Sequence, residues 1–213
     1  MTPMPKALIF DCDGTLALTG DMHFAAFAAA FAAQGGVLDN DWYHARGGLA
    51  RQQLVEQWME ATGQVVELQR VVDDSIALAQ TMTDSASPNP PVAELAEIWG
   101  KRPSAVASNG EAPVVLATLR SCGLDHLFDT VVTLSDSGVP KPDPTMFLMA
   151  AQRLGTAPAD CLVLEDSEQG LEAARCAAMP ALDVRLPETL TIIAGMTAEL
   201  RQALLVPAET PKS

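Results

Sequence analysis

An open α/β fold with a parallel central sheet, interrupted by an inserted helical unit, is predicted by three observations. From residue 88 onward, short β-branched or apolar runs alternate with helical periods, the pattern of βαβ units. Residues 18 to 86 break that alternation with helical stretches and no convincing strand. Polar clusters stand where an apolar run gives way to a turn, the place where open α/β sheets gather their catalytic groups.

Taken in order, the first strand is expected at 6–10, ending on Asp11-Cys12-Asp13-Gly14-Thr15. Helical periods follow at 22–34, 50–62 and 66–81, and the chain returns through Ser85-Ala86-Ser87-Pro88-Asn89-Pro90-Pro91, a stiff polar hinge by composition. Strands are then expected at 104–108, 129–134, 160–165 and 180–184, with helices at 111–122, 144–155 and 167–178 between them. The last two helices have plausible caps at Asp143 and at Asp166 or Ser167, and Pro144 suits a first helical turn, where its missing N–H loses no bond. Residues 206–213 read as a frayed tail. The expected division is a discontinuous α/β domain of residues 1–17 and 87–213, carrying a helical domain of residues 18–86.

A chain of 213 residues buries roughly 70 % of the surface that its unfolded form exposes, enough for one solid core and a small second domain. Its net charge of −14 would repel a nucleic-acid backbone or an anionic membrane over most of the surface. Neither is an expected partner. Cys12, Cys122, Cys161 and Cys176 form no CxxC or zinc pattern and lie in or beside apolar segments, which fits a reduced chain in the cytoplasm. The longest apolar run, Phe24 to Ala33, is too short to span a bilayer, and Asp11 and Asp13 interrupt the stretch that a secretory signal would need.

Two carboxylate residues at positions i and i+2 on a turn leaving a strand can share one hard cation, one through its side chain and the other through its backbone carbonyl, and magnesium suits such an oxygen-rich site. Asp11 could attack phosphorus while Asp13 protonates the leaving oxygen and later activates water. A solvated turn is the plain alternative for this segment. An EF-hand fragment is excluded, because the glycine is at the wrong offset and Met22 stands near where a bidentate Glu is needed. Ser108, with the backbone N–H groups of Asn109 and Gly110, could hold phosphate oxygens at the mouth of helix 111–122, although Asn-Gly could also be a hairpin turn. Lys141 could neutralise a transferred phosphoryl group or be merely solvated. Glu165 and Asp166 could complete the cation site or simply end a strand and cap a helix. Jointly, the four clusters in this order point to phosphoryl transfer.

These same residues, as DCDGT, SN, KPDP and EDSEQG in order, resemble the haloacid dehalogenase superfamily, specifically its magnesium-dependent phosphatases with a helical cap. Within it, WGKRPSAVASNGE and AAQRLGTAPADCLVLEDSEQGLEAARCAAMPALDVRL are similar to the fructose-1-phosphatase-like branch, close to the β-phosphoglucomutases. The resemblance implies a Rossmann-like sheet of strand order 5-4-1-2-3 and hydrolysis of a small sugar phosphate through an aspartyl phosphate. By the same implication Asp11 is the nucleophile and Asp13 the acid/base. Ser108 and Lys141 bind the phosphoryl group, with Asn109 and Gly110 beside it, and Asp166, with Glu165 close behind, joins Asp11 and Asp13 around magnesium.

Departures from the family pattern bear on the substrate. Leu18-Thr19-Gly20 stands where relatives carry Asp-Ser/Thr-Glu. His23 matches a family position at the hinge or catalytic mouth, with an idle helix-face His as the alternative. Among the cap arginines Arg46, Arg51 and Arg70, Arg51 resembles the mutase arginine that anchors a second phosphate, with a solvated Arg as the alternative. Glu111 stands where mutases place a lysine and would repel a second phosphate, which favours a phosphatase over a mutase-like phosphate transferase. Asp13 speaks against a dehalogenase, and the full set of acidic and basic residues against a catalytically silent binding protein. The three tryptophans read as packing residues, and the chain is expected to be a monomer or a weak homo-oligomer acting on a small phosphorylated metabolite.

Overall fold

The computed structural model describes residues 4–205. β1 (Ala7–Phe10) is buried along its whole length, as an apolar central strand of a parallel sheet must be. Past the turn with Asp11 and Asp13 come β2 (Ala17–Leu18), α1 (Gly20–Ala32), α2 (Asn40–His44), α3 (Arg51–Thr62) and α4 (Leu68–Met82). β3 (Ser87–Pro88) then runs antiparallel to β2, pairing Ala17 with Pro88 and Leu18 with Ser87. The remainder alternates: α5 (Pro90–Trp99), β4 (Ser104–Ser108), α6 (Ala112–Ser121), β5 (Thr130–Thr133), α7 (Leu134–Ser137), α8 (Thr145–Arg153), β6 (Cys161–Glu165), α9 (Glu168–Cys176), β7 (Ala181–Asp183) and α10 (Pro187–Leu205).

The main sheet is parallel, in the order β5-β4-β1-β6-β7. Numbered among themselves, its five strands lie 5-4-1-2-3, the expected arrangement; the labels differ only because β2 and β3 form a separate ribbon. Ile9 sits opposite Ala105 on one side and Val163 on the other, so β1 is central and its end is flanked by both neighbouring turns. Side chains alternate between faces. Leu8 and Phe10 pack with Leu95, Trp99, Val106 and Ile193 under α5 and α10, whereas Ala7 and Ile9 pack with Phe147, Ala150 and Ala173 under α8 and α9. α1 to α4 share an apolar cluster of their own, in which Phe31 and Trp58 meet with ring centroids 4.4 Å apart.

Some elements differ from the sequence reading. Residues 87 and 88 read as a polar hinge but form a strand, because a two-residue ribbon is too short to carry an alternating pattern and Pro88 is tolerated at a sheet edge. α2 and α7 were not foreseen, being too short to show a helical period. Pro144 occupies the N-cap rather than the first turn of α8, and the Asp143 carboxylate accepts the Thr145 N–H at 2.9 Å. At α9 the cap is Ser167, whose hydroxyl accepts the Gly170 N–H. The tail expected at 206–213 lies outside the described residues. Among the described residues no helix is long and apolar enough to cross a membrane.

Candidate active site

β1, β4 and β6 end side by side, and each delivers its polar cluster to the same edge of the sheet. Asp11 is fixed by its own N–H, which donates to the Leu164 carbonyl at 2.9 Å and so ties the end of β1 to that of β6. Gly14 has φ +89°, a left-handed conformation natural to glycine, and a Cβ there would collide with the Asp166 carboxylate. Gly170 likewise leaves the room that the Glu165 carboxylate occupies. Both glycines are required by the closeness of backbone to acid.

Lys141 is the electrostatic hinge of the cluster. Its side chain is 2 % exposed, and its ammonium donates to Asp11 Oδ1 at 2.6 Å and to Glu165 Oε2 at 2.7 Å. Burial alone would lower its pKa, but the two carboxylates raise it above the ordinary lysine value, so the group is a fixed cation. The Lys141 N–H donates to Asn109 Oδ1 at 2.8 Å, which links the KPDP loop to the end of β4. Glu165 spends its other oxygen on the mouth of α9, accepting from the backbone N–H of Asp166 and Ser167 and from the Ser167 hydroxyl.

Ligand oxygens of Asp11, Glu165 and Asp166 lie within 4.8 Å of one another. Burial, then the charge of Glu165, pushes the Asp166 carboxyl up to about 7 and raises Asp11 well above the usual carboxylate range. Acids crowded in this way favour a divalent cation, and an all-oxygen donor set fits magnesium. The residues present therefore fit the metal that the resemblance implies. The Asp13 side chain is not among these three: its expected part at the metal is its backbone carbonyl, and its carboxylate is turned to other partners.

Those partners are Thr19 Oγ1 at 2.9 Å and His23 Nε2 at 3.0 Å on Oδ1, with Ser108 Oγ at 3.4 Å on Oδ2. Burial acts to raise the Asp13 pKa, but His23 and Thr19 outweigh it and bring the carboxyl down to about 2. Asp13 is therefore an anion held between the sheet edge and the start of α1. Ser108 also accepts the Gly110 N–H at 3.0 Å, so the SNG segment folds back over the mouth of α6.

A small cavity of about 100 Å³ is lined by Asp11, Asp13, His23, Arg51, Ser108, Asn109, Gly110, Lys141, Glu165 and Asp166. Every residue proposed for the site from sequence thus reaches one space. Phe27, Tyr43 and Leu49 form its apolar side. Asn109 Nδ2 donates to the Gly48 carbonyl at 2.9 Å, and Gly48 packs so tightly on Ser167 that a Cβ would not fit. The loop before α3 is thereby closed onto the sheet edge.

Arg51 is not solvated: Nε donates to Glu111 Oε2 at 2.7 Å, Nη1 to Ser75 Oγ at 3.1 Å, and Nη2 lies 3.0 Å from His23 Nδ1. Glu111, expected as a bare repelling carboxylate, is paired. Arg46 stacks on Trp42 and Arg70 faces Asp74 on the surface, so neither lines the cavity. Thr19, read only as part of a departure from the family, grips Asp13, and Tyr43, the one tyrosine, lines the cavity unannounced. Thr15 Oγ1, at 3.3 Å from Asp166 Oδ1, could have been found from its place in DCDGT; Tyr43 carried no such signal. A larger groove of about 530 Å³ lies against α10 at the opposite ends of β6 and β7 and holds none of this chemistry.

Residues 5–178 match the family model described as haloacid dehalogenase-like hydrolase. The fructose-1-phosphate phosphatase YqaB of Escherichia coli is 35 % identical over 187 residues, which cover 84 % of this chain and 96 % of that protein. β-Phosphoglucomutase of Bacillus subtilis is 26 % identical over 94 % of this chain and 93 % of its own length. The crystal structure of CbbY from Rhodobacter sphaeroides in complex with phosphate superposes with a TM-score of 0.74 at 25 % identity, covering 84 % of this chain and 85 % of that one. The parallel sheet, the acidic edge and the length of the match agree: the chain belongs to the haloacid dehalogenase-like hydrolases.

Proposed function

We propose that this protein is a magnesium-dependent phosphatase that hydrolyses a small sugar phosphate through a phosphoryl group carried on Asp11. The observation that carries this reading is Lys141 held at 2.6 Å from Asp11 beside two further carboxylates at the end of β1. With Oδ1 bound to Lys141, Oδ2 of Asp11 is the oxygen left to attack phosphorus while the ester P–O bond breaks. The leaving oxygen takes a proton from Asp13, and water then attacks the phosphoryl group on Asp11, giving its proton to Asp13 and releasing inorganic phosphate. Asp13 as it stands is a base; the arriving phosphate dianion raises its pKa by like charge and lets it carry the proton first. Ser108, Asn109, Gly110 and Lys141 hold the non-bridging oxygens at the mouth of α6. Magnesium held by Asp11, the Asp13 backbone carbonyl and Asp166, with Glu165 close behind, would offset the charge of the phosphoryl group.

Residues 18–86 act in this reading as a cap whose closed loop and aromatic side keep bulk water from the phosphoryl group. The free cysteines support a reducing, cytoplasmic setting. Kinship with a β-phosphoglucomutase leaves a phosphate transferase as the second reading, but the Glu111 carboxylate disfavours the second phosphate that it would need.

Phosphate release from a panel of phosphorylated sugars, polyols and short acids, with magnesium or with excess EDTA, tests the assignment. Release that depends on the metal is expected. Full turnover in EDTA would remove the cation from the mechanism. Rapid isomerisation of β-glucose 1-phosphate primed by β-glucose 1,6-bisphosphate, with negligible phosphate release, would replace the phosphatase by the transferase.

A further inference from the structure

Arg51 and Asp11 line the same cavity, and a guanidinium facing a phosphate-binding edge is the natural anchor for a second anionic group on the ligand. Here that anchor is taken. The Arg51 side chain is 7 % exposed, each of its three nitrogens has a partner within 3.1 Å, and its guanidinium carbon lies 5.0 Å from the centre of the Phe27 ring. The charged partner, Glu111, stands at the N-cap of α6 and reaches the Arg51 guanidinium at the start of α3.

Building on the phosphatase reading, we propose that the Glu111 carboxylate is a built-in anion that occupies Arg51, restricting the site to esters with a single phosphate and leaving Arg51 to position His23. A carboxylate satisfies a guanidinium by the same charge-assisted hydrogen bonding as a phosphate does. A second phosphate must therefore displace Glu111 and leave that carboxylate unpaired, or sit beside it as a like charge; both cost affinity. Selection of this kind rests on an element that opposes the wrong ligand rather than on a better fit to the right one.

Arg51 also acts at a distance. A guanidinium only donates, so His23 Nδ1 must accept, and the ring hydrogen stands on Nε2, where it is donated to Asp13 Oδ1. Arg51 is in this sense a positioning residue for Asp13, and Ser75, which accepts from Arg51 and donates to the Val72 carbonyl, holds the guanidinium in place from α4.

The test compares kcat/KM for fructose 1-phosphate and fructose 1,6-bisphosphate in the magnesium-loaded wild type, Glu111→Gln and Glu111→Asp. Loss of the carboxylate in Glu111→Gln should raise the bisphosphate-to-monophosphate ratio by about tenfold or more, as removing one charge-assisted competitor allows. Glu111→Asp, which keeps the charge, should retain the wild-type ratio within about threefold. A folded Glu111→Gln protein whose ratio stays at the wild-type value would reduce the pair to a structural salt bridge and overturn the proposal. If Glu111→Gln does not fold, competitive inhibition of the wild type decides: a bisphosphate should bind no tighter than the monophosphate, and tighter binding by tenfold overturns the idea. Absence of turnover of every monophosphate by the wild type is a different failure, of the phosphatase reading itself, and takes this inference with it.

Discussion

Lys141 and Arg51 are both buried cations at one cavity, yet the charge around them is balanced in opposite ways. At the sheet edge three carboxylates, Asp11, Glu165 and Asp166, face the single Lys141 ammonium. Under the helices Arg51 faces one carboxylate, Glu111, with Ser75 and His23 at its other two nitrogens. The first arrangement keeps negative charge in excess and so favours a divalent cation, with the dipole and N–H groups of α6 left for phosphate oxygens. The second matches its one arginine with one carboxylate. It supplies shape and exclusion, and one pair of hydrogen bonds, those of His23 and Thr19 on Asp13, carries its influence into the chemistry.

The strongest way to break the acidic side of this comparison is Asp11→Asn, which keeps the shape but removes the nucleophile and one of the three charges. kcat for a sugar phosphate should fall by at least about 10⁴-fold, and no labelled phosphoprotein should accumulate after rapid quench. A phosphorylated Asp11→Asn protein would move the nucleophile elsewhere. Asp13→Asn probes the seam between the two regions. It should slow turnover by roughly 10²- to 10⁴-fold with little change in KM, because proton transfer is lost while the phosphate-holding groups stay. A rate within tenfold of wild type would show that Asp13 does not move the proton.

The two regions also differ in how far they could be read from sequence. Each group at the sheet edge lies at the end of an apolar run, so Asp11, Ser108 and Glu165 were marked by local pattern, and the sheet places them together because β1 lies between β4 and β6. The helical side has no such grammar. Arg51 and Glu111 are 60 residues apart in the chain, and their pairing follows from how α3 meets the start of α6, a matter of tertiary packing. Tyr43 sits on a five-residue helix with no period to disclose a face, and Thr19 looked like a loss because its partner, Asp13, precedes it by six residues around a turn. The ribbon of β2 and β3 was hidden for a similar reason, since two residues cannot alternate.

The smallest expected effect is on stability, and it separates the crowded acids from the balanced arginine. Asp166, raised to about 7 by burial and by Glu165, binds a proton more tightly in the folded chain than in the unfolded one, as does Asp11. Stability from these groups is therefore greatest at acid pH and falls as pH rises from about 4 towards 7, where the folded chain must release protons into a negative site. Asp13, lowered to about 2, has the opposite sign, but its contribution is lost only as pH falls below the ordinary carboxylate value, and the raised Lys141 acts only above pH 10. Between pH 5 and 8 the crowded acids thus set the slope. Magnesium should relieve them most where they are ionised, so the metal should raise Tm by several degrees more at pH 8 than at pH 5, at about 2–4 °C per kcal/mol for a chain of this size. Asp166→Asn should flatten that difference. Differential scanning calorimetry with and without magnesium at the two pH values checks both statements, and an equal gain at pH 5 and pH 8 would mean that the acidic edge does not carry the excess charge on which the contrast with Arg51 depends.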